Sequence, residues 1–152
     1  LINERIATAF ESDSSGKAAI GHGYTYSGHP VGAAAALAAI AETRRLDVVT
    51  NAAARGTQLY DGMVSLAGQY PVVGDVRGGH GLMTAMELVA DQETKAPIDG
   101  KLAIKMQKAA YQAGALIRVS GPNVILSPSL VIEEADIDIA LNAVEEGLKA
   151  IS

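Results

Sequence analysis

Residues 21–39, GHGYTYSGHPVGAAAALAA, constrain this chain more than any other stretch. A polar approach punctuated by Gly21, Gly23 and Gly28 runs into an alanine run with Pro30 at its head. Proline suits a first helical turn, where its missing N–H would have had no partner. From Val31 to Glu42 the residues are nearly all small and apolar, which predicts a helix buried on most sides. The start of that helix offers free backbone N–H groups and the positive end of the helix dipole, just after the hydroxyls of Tyr24, Thr25, Tyr26 and Ser27. Such an arrangement suits an anion, a phosphate above all. Plain capping by Ser, Gly and Pro accounts for the same residues. A Walker A loop is excluded, because His29-Pro30 stand where the glycine spacing of Gly23 and Gly28 would require Lys and Ser/Thr.

The rest of the chain narrows the possibilities. At 152 residues it has the length of one domain and can bury about 70% of its unfolded surface. High Gly and Ala content with one Phe and no Trp predicts close packing of helices on a sheet rather than an aromatic-rich sandwich. Twelve basic against seventeen acidic residues leave a net charge of −5 without a Lys/Arg cluster, which disfavours nucleic-acid binding. Cysteine is absent, so neither a disulfide framework nor thiolate chemistry is available. With no signal-like segment and no spanning apolar run, the expectation is a soluble, cytoplasmic protein. His22, His29 and His80 are too scattered for a zinc site, and no metal is expected.

Taken in order, Leu1–Phe10 reads as a helix with Ile2, Ile6 and Phe10 on one stripe from its first turn. An apolar start without Met reads as a cut into a longer chain. Residues 11–17 form a polar loop, and Thr43-Arg44-Arg45 breaks the alanine helix at a solvated end. Asp47 opens a helix reaching Gln69, with Val48, Ala52, Leu59, Met63 and Leu66 on one face. Val72–Arg77 and Leu82–Val89 read as strands joined by Gly78-Gly79-His80-Gly81, where His80 is a turn residue rather than a catalyst. A polar connection over 91–99 leads to a helix at 101–113, ended by Gly114. Ala115–Val119 and Val124–Ser127 read as strands about a turn at 120–123. Arg118 sits between Ile117 and Val119, and alternation alone would turn it to solvent. The last helix, about 134–150, starts among Glu133, Glu134, Asp136 and Asp138, where the dipole favours negative charge. Ile137, Ala140, Leu141, Val144 and Leu148 form its apolar stripe.

Two segments carry a family likeness. TYSGHPVGAAAALA (Thr25–Ala38) and RGGHGLMTAMEL (Arg77–Leu88) resemble segments of class III pyridoxal-phosphate aminotransferases, in particular the ω-amino-acid:pyruvate branch. The resemblance implies an α/β chain: the C-terminal part of a fold-type I transferase, with a small, mainly antiparallel sheet over 72–127. Helices at 47–69, 101–113 and 134–150 would cover one side of that sheet. It further implies that residues 1–42 are a remnant of the large domain and dimer interface, and that 43–152 are the small domain. On the same likeness Thr25, with Tyr24 and Ser27 beside it, binds the pyridoxal 5'-phosphate phosphate in the partner subunit's site of a homodimer. Arg118 would pair with the substrate carboxylate, as a guanidinium fork fits a carboxylate bidentately.

The likeness also marks what this stretch leaves out. The chemistry needs a Schiff-base lysine and an acidic partner for the pyridine nitrogen. Lysines 17, 95, 101, 105, 108 and 149 lack the family's context, so no catalytic residue is assigned and the chain alone is expected to be inactive. The expected parent reaction moves an amino group from an amine or ω-amino acid to a 2-oxo acid such as pyruvate. Alternatives are ornithine, 4-aminobutyrate or diaminopelargonate transamination, glutamate-semialdehyde aminomutation, or a non-catalytic ligand-binding or dimerisation module. An uncovered alanine helix would favour self-association.

Overall fold

A computed structural model describes residues 2–18 and 23–152. Leu1, Gly21 and His22, which entered the sequence reading, lie outside the described residues. The chain divides into two compact units, Leu1–Ala41 and Glu42–Ser152.

The first unit is helical. Helix α1, Glu4–Glu11, begins at Asn3, whose side chain accepts from the Ile6 amide at 3.0 Å. Helix α2 runs Pro30–Arg45, its last turn lying beyond the boundary of this unit. It continues through Thr43-Arg44-Arg45, where a break was expected, because the two arginines complement the negative end of the dipole. Arg45 also forks onto Glu42 at 2.6 and 2.7 Å. The expectation of a helix buried on most sides fails here: no residue of α1 or α2 is buried, and Val31, Leu37 and Ile40 are exposed. Between the two helices, the Asp13 carboxylate accepts from the amide and hydroxyl of Ser15 and from the Ala18 amide.

The second unit is a one-sided sheet under three helices. Helix α3 (Val48–Gln69) starts at Asp47, a left-handed residue with φ 46° whose carboxylate accepts the Thr50 hydroxyl instead of capping the backbone. Strands β1 (Val73–Arg77) and β2 (Thr84–Asp91) form an antiparallel hairpin. The turn between them holds Gly78, Gly79 and Gly81, all at positive φ, which side chains tolerate poorly. A strand missed by the sequence reading, β3 (Ala96–Pro97), pairs with β2 inside the expected polar connection. Two residues, one of them proline, leave almost no periodicity to detect. Helix α4 (Gly100–Gln112) is capped by the Asp99 side chain on the Lys101 amide at 2.9 Å.

Strands β4 (Arg118–Ser120) and β5 (Asn123–Leu126) are shorter than the sequence suggested, with residues 115–117 outside the sheet. The sheet order is β1-β2-β5-β4 with β3 off β2, and every pairing is antiparallel. Helix α5 (Glu134–Ile151) opens with a capping box between Glu133 and Asp136. Its buried stripe is Ile137, Ala143, Val144, Gly147 and Leu148, with Ala140 and Leu141 only half-buried.

Thr84, Met86 and Leu88 of β2 point inward and are fully buried. Val73, Val124 and Leu126 join them in one core with Leu59 and Met63 of α3, Met106 of α4, and Val144 and Leu148 of α5. Glycines let these layers meet. A Cβ on Gly56 of α3 would stand 2.1 Å from the Gly81 carbonyl oxygen, and one on Gly147 of α5 would stand 2.8 Å from Met106 Cγ.

Two outcomes follow. Gly56→Ala gains about 1 kcal/mol of helix propensity but forces α3 off the hairpin turn, so the midpoint of urea unfolding should fall by the equivalent of about 2 kcal/mol net, within the range for overpacked cores. In the first unit, hydrogen bonds from Ser15 and Ala18 hold Asp13 well below the ordinary 3.8, at about 2. Because the folded value is depressed, its stabilising contribution is present above pH 3.8 and is lost as the pH falls toward 2. A carbon-13 carboxyl titration by NMR should place the Asp13 midpoint near 2.

Candidate functional site

Tyr24, Thr25 and Ser27 lie together on the turn that leads into α2. Its backbone closes through Ser27 N–H to the Tyr24 carbonyl at 3.0 Å and His29 N–H to the Tyr26 carbonyl at 3.1 Å. Gly28, at φ 72°, makes the left-handed step that delivers the chain to the helix. Thr25 and Ser27 are exposed, and their hydroxyls have no hydrogen bond within the described residues. His29 is the first residue before the helix: its carbonyl accepts the Ala33 amide at 3.0 Å and its Nδ1 accepts the Gly32 amide at 3.2 Å. The Tyr26 and His29 rings meet edge to face, 5.8 Å between centroids at 87°. These two aromatics with Gly28, Gly32 and Ala33 line an open depression.

In the second unit, the outward face of the sheet carries two rows set by its register. Arg77, Ala85, Ile125 and Arg118 form one, and Asp75, Glu87, Asn123 and Ser120 form the other. The two arginines on this face are in opposite situations. Arg77 is saturated: it donates to Asp75 at 3.0 Å, Glu87 at 2.8 Å and Asn123 at 2.6 Å. Hydrogen bonds to Glu87 and then Asp75 raise its pKa further above an already high value. Arg118 is exposed and forms no ion pair among the described residues. It borders a cavity of about 490 Å³ whose walls are mainly apolar, among them Met83, Leu116, Ile117, Ile125 and Pro128.

An unpaired guanidinium beside an apolar wall can hold a carboxylate whose remaining substituent is carried on hydrocarbon surface. The turn before α2 can donate hydroxyl protons to an anion. The residues therefore fit the phosphate end of pyridoxal phosphate. The lysines do not fit a covalent role. All are exposed, Lys95 donates to the Gly74 carbonyl, and Lys149 pairs with Glu145 and Glu146. The hydrogen bonds Lys149 donates to Glu146 and Glu145 push its pKa up, opposite to what a nucleophilic amine requires. Among the described residues no His/Asp/Glu cluster could hold a metal ion, and no helix is long and apolar enough to cross a membrane. Sequence reasoning missed Arg77 and His29 as organising residues. Both sat in motifs already singled out, but hydrogen bonding across strands and back onto a helix leaves no periodic trace.

Comparison with known proteins places this geometry in context. The family model for class III aminotransferases matches residues 1–148. The taurine–pyruvate aminotransferase of Bilophila wadsworthia is 36% identical over 134 residues, covering 84% of this chain and 29% of that protein. The diaminobutyrate–2-oxoglutarate transaminase of Halomonas elongata is 31% identical over 156 residues, covering the whole of this chain and 33% of its own. An amine transaminase from an uncultivated Pseudomonas species, solved in its PLP-bound form, superposes with a TM-score of 0.91 at 39% identity, over 100% of this chain and 34% of that one. The chain thus spans about a third of the length of these relatives.

The contrast between the two arginines has a measurable consequence. Arg118→Ala should leave the urea midpoint of the chain unchanged to within about 0.5 kcal/mol, as for a surface residue without partners. Arg77→Ala should cost about 1 kcal/mol, the upper end for exposed pairs, because Asp75 and Glu87 are left facing each other.

Proposed function

Since the chain belongs to the class III aminotransferase family, whose members depend on pyridoxal phosphate, we propose that it serves as the C-terminal part of an enzyme that transfers an amino group from an amine or ω-amino acid to a 2-oxo acid such as pyruvate. The observation that carries this reading is Arg118, an exposed, unpaired guanidinium bordering an apolar cavity.

In the proposed mechanism Arg118 receives the carboxylate of the 2-oxo acid as a bidentate pair. The pair strengthens as the neighbouring apolar side chains exclude water. Ile125 stands across the strand pair from Arg118 and contributes to the wall that carries the rest of the substrate. Thr25 and Ser27 donate hydroxyl protons to the cofactor phosphate, with Tyr24 beside them. They do so in the site of a partner subunit, so the working form is a homodimer. Exposed Val31, Leu37 and Ile40 on α2 support that assembly by supplying apolar area for the contact. Pyridoxal phosphate, when bound, supplies the electron sink on which an amino group and a carbonyl oxygen are exchanged. The exposed, surface-committed lysines support a chain that is inactive by itself.

A second reading has its own support. The Halomonas relative is named for 2-oxoglutarate rather than pyruvate, and one arginine fits the α-carboxylate of either. Comparing pyruvate with 2-oxoglutarate as acceptors separates the two.

In the complete parent enzyme, Arg118→Ala should lower kcat/KM for the 2-oxo acid about 100-fold, chiefly through KM, while amines without a carboxylate react nearly as before. Thr25→Val should weaken cofactor retention about 10-fold, read as loss of cofactor absorbance on dialysis. The 152-residue chain alone should show no turnover. Equal loss with carboxylate-free amines in Arg118→Ala, or turnover by the isolated chain, would overturn the reading.

A further inference from the structure

His29 does two jobs that the reading above leaves unassigned. It is the residue preceding Pro30, and its Nδ1 lies 3.2 Å from the Gly32 amide in accepting geometry. Gly32 is the third residue of α2, whose amide has no carbonyl partner within the helix. An imidazole thus takes the place usually held by Ser, Thr, Asp or Asn. The same ring lies edge-on to Tyr26, at 5.8 Å and 87°, and Tyr26 sits between Thr25 and Ser27. The ring therefore ties the first turn of the helix to the middle of the hydroxyl-bearing turn.

We propose that His29 is a positioning residue: as the neutral imidazole protonated on Nε2, it latches the turn carrying Thr25 and Ser27 onto α2, and protonation of the ring releases the latch. The proposal rests on the phosphate-anchoring role given above to that turn, but the latch itself is a property of this chain.

Only an unprotonated Nδ1 has the lone pair that accepts the Gly32 N–H, so the ring proton of the neutral form must be on Nε2. The imidazolium has two N–H donors and no acceptor, and it would stand at the positive end of the helix dipole. Ring protonation therefore removes a hydrogen bond and adds a repulsion at one place. Tyr26 is the titratable group in contact with the ring, and among the described residues no charged side chain pairs with it. Pro30 sharpens the dependence, since its fixed φ preorganises the turn but supplies no N–H of its own.

The test uses the 152-residue chain and nuclear magnetic resonance. Nitrogen-15 shifts of the neutral His29 ring should show the proton on Nε2, and the Gly32 amide should shift with the same midpoint as the ring. His29→Asn keeps an accepting cap that does not titrate. In that variant the Gly32 amide should stay at its capped shift across the range. His29→Ala should let the Gly32 amide exchange about fivefold faster than in His29→Asn, the factor for one lost cap. A neutral ring protonated on Nδ1, a Gly32 amide indifferent to ring ionisation, or equal exchange in the two variants would each overturn the latch. None of these outcomes bears on whether Thr25 holds a phosphate, so failure of the latch and failure of the anchoring role are read separately. If His29→Ala loosens the whole turn, the ring tautomer of the unmodified chain still decides.

Discussion

Burial of the inward row of β2, Thr84, Met86 and Leu88, is the constraint on which the Glu42–Ser152 unit depends. A sheet with one apolar face must cover that face, and α3, α4 and α5 do so in a shared core. The cover is close only because small residues stand where layers touch. Gly56 admits the Gly81 carbonyl, and Gly147 admits Met106. The high glycine and alanine content is thus a packing device: each side chain withheld lets a helix approach the sheet or its neighbour. Once the inner face is fixed, the alternation along each strand fixes what the outer face shows. Arg118 is presented outward because Ile117 before it is buried and Val119 after it is half-buried.

The outer face then sorts its arginines by neighbours. Arg77 lies beside two carboxylates and an amide in the adjacent row, and it is consumed in holding β1, β2 and β5 in register. Arg118 lies on the edge strand beside Ile125 and forms no ion pair among the described residues. A paired arginine cannot recruit an anion without losing what it already has, whereas an unpaired one can. That difference, and not residue type, sets apart an arginine spent on structure from one able to meet an anion.

Much of this was readable beforehand, for stated reasons. The hairpin announced itself through Gly78-Gly79-His80-Gly81 between two apolar runs, and α4 through its terminal Gly114. These are local signals, decided by backbone sterics within a few residues. The errors have a different origin. The length of α2 depended on Arg44 and Arg45 being welcome at a helix C-terminus, an electrostatic effect that apolar periodicity ignores. Its exposure could not be read from Val31–Ala41 at all, since an apolar sequence states that a surface wants cover and not what supplies it. The two-residue β3 and the saturation of Arg77 both arise from partners distant in sequence.

The Leu1–Ala41 unit makes the local signals matter more, because none of its described residues is buried. Neither α1 nor α2 buries a residue, so the usual source of helix stability, packing of an apolar face, is missing among the described residues. A 16-residue, alanine-rich helix is near the margin of stability by propensity alone. Its ends carry local support: the His29 side chain on Gly32 at one, and, beyond the unit's boundary, Arg45 forked onto Glu42 at the other. Each contributes about 1 kcal/mol or less, which decides little in a packed core but shifts a marginal helix several-fold. The His29 cap therefore bears directly on the turn carrying Thr25 and Ser27, and any surface that covered α2 or any anion seated at its start would stabilise the same conformation.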